Sequence, residues 1–429
     1  AEVGGRSLLP SGKPWCAEIV DDTGAVFTSA GETVESVEIA EAGPLRAIIV
    51  KRGKQRNAEG ACLDYRYEYH VVAGVGGFRF FYTFSNTTES AVVHVRRISL
   101  KLPWDSRTHT VDVKRPEDSV PRRWSGNRLD AYQHFHNTAT VLGGDPELTR
   151  APGTLVGMFA ARGEFSLHVG LRYAWEMCPK RAVLEDGITL DLMPEPMTDA
   201  DIPDAAKAPP EVEGKVIGGV GYPQANAKPG MFRVAIGESV THELWIDFAD
   251  GDTPLDSAAM RGHLSPLCAF ADPEYVASTK VFAEFAPADP KRFPEYEQGV
   301  DAEYYNFMTR RGDRKQYGME NFGDDTFEWG YVPVYTFWSN QEDDRTHGML
   351  IEYLRAGDWR WWELGEQAAR HYRDVDCVFA APDNPDLQGG PRDLDVASAE
   401  VAEHGVQVGP AAEEEGHGGV RGDPLRLHP

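Results

Sequence analysis

Closely spaced cysteine pairs are missing from this chain. Its five cysteines, Cys16, Cys62, Cys178, Cys268 and Cys377, are odd in number and far apart. No C-x-x-C occurs, so a zinc ribbon or dithiol redox motif has no support, and the thiols read as small core residues. Long apolar runs are missing as well: none approaches the roughly 20 residues of a membrane-spanning helix. Basic charge is scarce. Lys and Arg total 43 against 68 Asp and Glu, a formal net charge of -25. That balance speaks against nucleic acid and anionic membrane surfaces as partners, because a phosphate backbone requires a basic footprint. No P-loop, G-x-G-x-x-G, G-x-S-x-G or H-E-x-x-H is found, which leaves nucleotide-binding, serine-hydrolase and zincin readings without a basis. The opening AEVGG carries no Met, no basic stretch and no apolar stretch. The sequence is therefore expected to be a fragment, or what remains after a leader is removed, and the compartment stays open.

What is present is ample core material: 41% hydrophobic residues, with 10 Trp, 19 Phe and 16 Tyr, in a length that allows two or three domains. From Val26 to about Phe248 the periodicity is that of strands. Segments such as VESVEIAEAG, LDYRYEYHVVAG, VVHVRRISLKLP and THELWIDFADG alternate or run apolar between Gly, Asn, Asp and Pro, the spacing of an antiparallel β-sandwich. Asp199 to Gly214, rich in Ala, Pro and Asp, reads as a surface excursion. The expected division is a β-sandwich over 1–255, an α-helical domain over 256–380, and a Gly/Pro/Glu-rich loop or tail over 381–429, too poor in large apolar residues to order itself.

The chemistry concentrates between Tyr317 and Asp376. Two helices are predicted there. One runs from Thr346 to Ala356, with Met349, Leu350, Tyr353 and Leu354 on one face. Gly357 supplies a left-handed stop and Asp358 caps the next helix, where Trp361, Leu364 and Ala368 recur at spacings of three and four. The pair makes an antiparallel αα-hairpin. One hairpin cannot close a helical core; if the helices belong to a toroid of several hairpins, most of it is expected to lie beyond this chain.

Before the hairpin lies a polar, aromatic stretch. The basic run Arg310, Arg311, Arg314, Lys315 suits a solvated face or a carboxylate site, which Arg holds in bidentate fashion. Asp324 with Asp325, and Glu342 with Asp343 and Asp344, suit N-caps and solvated turns, a hard cation such as Ca²⁺, or the carboxylate pair of a glycosidase. His347, near Trp338 and Asn340 in sequence, is a candidate base, a substrate ligand or a partner for the preceding carboxylates. His371 reads as packing, and His134 and His136 lack metal-ligand spacing. Trp329, Tyr331, Tyr335, Phe337 and Trp338 fit a core or a platform on which sugar rings stack.

The segments EIAEAGPLRAIIVKRG, YRYEYHVVAGVGGFRFFYTF, WEMCPKRAVLEDGITLDLMPE, THELWIDF and YGMENFGDD…FWSNQEDDRTHGMLIEYLRAGDWRWWELGEQAARH together resemble the exo-acting rhamnogalacturonan lyase-like proteins. The likeness runs from about Val34 to Asp376. It implies a β-sandwich followed by an α/α toroid, with the family's N-terminal barrel domain and most of the toroid lying outside this chain. It also implies β-elimination on a uronate-containing pectic glycan. Three tasks follow: neutralise the carboxylate, take the C5 proton, and protonate the leaving oxygen. The expected site is His347 as base and Tyr317 as acid. Arg310, Arg314, Asn321, Trp338 and Asn340 would bind substrate, and Asp324, Asp325 and Asp344 any Ca²⁺. The alternatives are a glycoside hydrolase using Asp325 and Asp344, and a non-catalytic glycan-binding protein. The expected partner is an oligosaccharide or polysaccharide.

Overall fold

The computed structural model describes residues 2–3, 6–7 and 13–389, apart from 32, 145–147, 196–230, 252, 266–267, 329–335, 340, 342–343, 382–385 and 387. The surface excursion expected at Asp199 to Gly214, Asn340, and most of the expected tail lie outside these residues. Residues Ala1–Pro391 form one compact unit.

Eighteen strands, from Cys16–Asp21 to Ser239–Asp250, hydrogen-bond into one antiparallel network. The alternation seen in the sequence decides which side chains go inward. Leu63, Tyr65 and Tyr67 on the strand Ala61–Val72 are buried at a period of two, as are Ile98, Leu100 and Leu102 on Val92–Pro103, because successive strand side chains point to opposite faces. They join Phe84, Leu129, Leu155, Leu167 and Leu244 in one continuous core. Two long strands knit the network together. Val92–Pro103 pairs with Cys16–Asp21, Gly187–Met193 and Phe232–Ala235, and Ser239–Asp250 pairs with both Phe78–Ser85 and Phe165–Leu171.

Five α-helices occur among the described residues: α1 (Ser257–Leu264), α2 (Pro273–Thr279), α3 (Pro294–Asp313), α4 (Arg345–Ala356) and α5 (Trp359–His371). α1 lies on the sheet. Its Met260 and Leu264 pack with Met158, Ala160 and Trp245, and Gly170 leaves them room, since a Cβ there would sit 2.8 Å from both side chains. The αα-hairpin forms where the sequence places it: Gly357 is left-handed at φ 69°, and the Asp358 side chain accepts from Arg360 N.

The fold class expected from the sequence, a β-sandwich followed by an incomplete α/α toroid, is corrected by this architecture. The fold is one large antiparallel sheet system with few helices. The hairpin does need neighbours, but it finds them without a ring of further hairpins. Phe307, Val300 and Tyr304 of α3 pack against Met349, Tyr353, Trp361, Leu364 and Ala368, and ion pairs from Glu366 and Arg370 fasten α5 to the sheet. Among the described residues, no helix is long and apolar enough to cross a membrane.

Gly323 sets how closely the loop ahead of the short strand Thr326–Glu328 approaches α5. Its φ is 106°, and a Cβ would lie 2.3 Å from the Gln367 carbonyl oxygen and 2.9 Å from His371 Cβ. Gly323→Ala is expected to cost about 1–3 kcal/mol in backbone strain alone, read as a lower urea midpoint. An unchanged midpoint would show that this loop does not press on the helix.

Candidate active site

Three connections meet around Tyr317. The segment after the strand Phe165–Leu171 carries Arg172, Tyr173, Trp175 and Glu176. The loop leaving α3 carries Lys315, Gln316, Tyr317 and Phe322. The turn between Leu129–Phe135 and Thr138–Leu142 carries His136. A backbone hydrogen bond from Gly318 N to Glu176 O, 2.7 Å, stitches the first two together.

The rings do the rest. His136 lies flat against Tyr317, with centroids 4.6 Å apart and planes 10° apart. Trp175 leans on Tyr317 at 5.4 Å, and Phe322 lies nearly parallel to it at 6.4 Å. His136, Trp175, Glu176, Lys315 and Tyr317 all keep some exposed surface, so the aromatic wall is partly open to solvent.

Its ionisation is unusual. Burial, helped by the charge of Lys315, lowers His136 to about 4, so its imidazole is neutral at physiological pH. Burial raises the Tyr317 phenol, with the Arg311 charge opposing it. Glu176 is raised to about 7 by desolvation of its carboxyl, with Glu363 adding to the effect and Arg311 opposing it. Perturbed groups gathered at one partly exposed site are a signature of chemistry.

Behind the wall sits a charge cluster. Glu243, on the strand Ser239–Asp250, accepts from Arg172 at 3.0 Å and pairs with Arg79 at 3.0 Å and with Arg370 of α5. Glu366 on α5 pairs with Arg172 and Arg370. Next to it is a cavity of about 20 Å³ lined by His242, Glu243, His371 and Asp374 among others. It has room for about one water, not a sugar ring. His242 is fully buried there with neither ring nitrogen hydrogen-bonded, and burial pushes its pKa well below the ordinary value. Burial also lowers Lys180 to about 7, and its ammonium donates to the carbonyls of Met177 and Pro179. A wider groove of about 510 Å³ lies between Val120, Pro121, Arg123 and the start of α1. Its lining includes none of the residues the sequence singles out.

Of those residues, Tyr317 stands in the aromatic wall. Arg310, Arg314 and Asp325 come together beside it. Arg310 donates to Glu303 and Asp325, both at 2.9 Å, and Arg314 donates to the Thr326 carbonyl at 2.7 Å and its hydroxyl at 2.9 Å. Asp325 also accepts from Gln316 and lies 3.2 Å from Arg345. Burial pushes its carboxyl up, but these partners outweigh it and hold the pKa below the usual range. Asp324 is fully buried, accepting from Ser339 and Gln341, with His371 Nε2 at 3.8 Å. Asn321 is buried in the same loop, its backbone N–H bonded to the Gly318 carbonyl. Trp338 is partly buried on the short strand Thr336–Trp338, opposite Thr326.

His347 and Asp344 are placed differently. They lie 3.9 Å apart at the start of α4, with side chains 65% and 77% exposed. Among the described residues, no set of three or more His, Cys, Asp or Glu side chains is arranged to hold a metal ion.

Sequence reasoning set His136 aside for want of metal spacing and gave no role to Trp175 or Glu176, although both stand in the quoted segment WEMCPK. Arg311 was only one of a basic run.

No family model matches the sequence, and no curated protein does. Among solved structures, the chain is similar to one provisionally named an aldose 1-epimerase from Escherichia coli K12, with 11% identity, 54% of this chain and 79% of that one covered, and a TM-score of 0.22. It is also similar to a TPR-domain containing protein from Parabacteroides distasonis ATCC 8503, with 12% identity, 55% and 36% covered, and a TM-score of 0.27. Likeness at this level carries no argument about activity.

Proposed function

We propose that this chain is a carbohydrate-active enzyme, a polysaccharide lyase that cleaves a uronate-containing, rhamnogalacturonan-like glycan by β-elimination at the Tyr317 wall. The observation that carries the reading is the flat contact between a neutral His136 and Tyr317, flanked by Trp175 and Lys315. Trp175 offers an apolar ring face to a pyranose. Lys315, whose charge acts on His136, is the cation best placed to meet the uronate carboxylate. His136 takes the C5 proton, the C4–O bond breaks with its electron pair leaving on oxygen, and Tyr317 gives that oxygen its proton. The product gains a C4–C5 double bond conjugated to the carboxylate. Base and acid are groups whose protonation states at neutral pH fit these tasks.

The test is to mix the protein with rhamnogalacturonan I oligosaccharides, with and without Ca²⁺, and to follow near-ultraviolet absorbance and reducing ends together. Rising absorbance is expected. New reducing ends with no absorbance would mean hydrolysis, and binding without turnover would mean a glycan-binding protein. Either result removes the lyase reading. On the acid side, kcat/KM should rise with pH through about 4, where His136 loses its proton, rather than through the ordinary imidazole range. A limb near 6.5, the unperturbed imidazole value, would contradict His136 as the base.

A further inference from the structure

Arg311 is a buried cation without a direct carboxylate partner, with Asp325 and Glu176 acting on its charge from beyond ion-pair distance. It is 3% exposed, and its one side-chain hydrogen bond is Nη1 to Gln367 Oε1 at 2.7 Å. Nε and Nη2 are buried with no hydrogen-bond acceptor, and among the described residues no carboxylate lies within ion-pair distance. In place of an anion it has rings: its guanidinium lies 4.7 Å from the Phe307 centroid and 5.1 Å from that of Phe322. Such cation–π contacts return part of the lost hydration but leave the charge unneutralised. Arg310, one position earlier on α3, behaves in the opposite way, pairing with Glu303 and Asp325. A buried unpaired charge is costly, and in a low-dielectric setting its field reaches further than an ion pair's. Phe322, which carries the guanidinium, is the ring stacked parallel to Tyr317.

We propose that Arg311 is a positioning residue for the Tyr317 wall: its charge, held without a direct ion pair between Phe307 and the Phe322 ring that stacks on Tyr317, stabilises negative charge on Tyr317 and Glu176. The inference rests on the lyase reading only for its catalytic consequence. As Tyr317 gives up its proton, the fixed positive charge stabilises the phenolate left behind. The other groups acting on Tyr317 are Glu176 and Cys178, from the connection after Phe165–Leu171, and both work against that anion. His136, stacked on the ring, is neutral at rest and becomes cationic only once it has taken the C5 proton. Arg311 is the buried, permanently charged group that acts in favour of that anion.

The test follows the Glu176 carboxyl through neutral pH by NMR of isotope-labelled glutamate, its resonance assigned by loss in Glu176→Gln. No substrate is needed. Arg311→Met keeps an apolar, adaptable side chain between the two phenyl rings and should move the Glu176 titration to higher pH. Arg311→Lys should bring it back towards wild type. Gln367→Leu, which removes the hydrogen bond and keeps the charge, should leave it unmoved. On substrate, Arg311→Met should lower kcat by about tenfold, one 1.36 kcal/mol step, with KM unchanged. A Glu176 titration that stays put in folded Arg311→Met, or that moves as far in Gln367→Leu, overturns the proposal. A wild-type protein inactive on every glycan would remove the lyase reading and leave the titration result standing.

Discussion

Tyr317→Phe should lower kcat by about 10²–10⁴-fold, the usual worth of a positioned general acid, while KM changes little. The substitution removes one hydroxyl and keeps the ring, so the stacks with His136, Trp175 and Phe322 remain and the fold is undisturbed. That separation makes the result interpretable: a purely structural Tyr317 would lose almost nothing as Phe. His136→Gln should lose a comparable amount, because His136 is the neutral imidazole stacked on Tyr317. Combining the two should cost less than the product of the single losses, as is common when two groups act in one step. An intact kcat in Tyr317→Phe would move the chemistry elsewhere on the chain.

The largest effect on stability is expected from Glu243→Gln. The Glu243 side chain is 1% exposed and faces three guanidiniums, Arg79, Arg172 and Arg370. Gln keeps the shape and removes the charge, so the arginines lose their central counter-ion, with Glu366 left to Arg172 and Arg370 among the described residues. Removing one partner of a buried ion cluster typically costs about 3–5 kcal/mol. Since Arg370 belongs to α5 and Arg79 to the strand Phe78–Ser85, the loss should loosen the helix from the sheet. Urea unfolding gives the free energy, and hydrogen exchange across α5 should quicken before the sheet opens. A cost below about 1 kcal/mol, the range of surface pairs, would mean that apolar contacts alone hold α5 in place.

The strands and the hairpin were legible because their signals are local. Alternation such as Leu63-Tyr65-Tyr67, and the Gly357–Asp358 stop and restart, depend on residues a few positions apart. The pairing network was not legible. Ser85 and Ser239 hydrogen-bond across 154 positions, and alternation identifies a strand without naming its partner. The toroid expectation failed for the same reason: the hairpin's need for neighbours is local, whereas the neighbours it found, α3 and the strand bearing Glu243, are not.

In the site, Tyr317 and the basic run could be picked out by residue type, but the division of labour within the run could not. Successive helix positions point about 100° apart, which sends Arg310 to Glu303 and Asp325 and Arg311 inward between two phenyl rings. Nothing in the sequence tells which of the two goes where. His136 comes from a distant hairpin turn and reaches Tyr317 only through the fold. His347, next to carboxylates in the sequence, looks the better base on paper, yet its side chain stands in solvent at the start of α4.

The most direct test of the central claim is to record near-ultraviolet progress curves for wild type, Tyr317→Phe and His347→Gln on one rhamnogalacturonan I oligosaccharide preparation. The account predicts matching slopes for wild type and His347→Gln and almost none for Tyr317→Phe. A flat wild-type trace, or activity that survives in Tyr317→Phe and vanishes in His347→Gln, would contradict it.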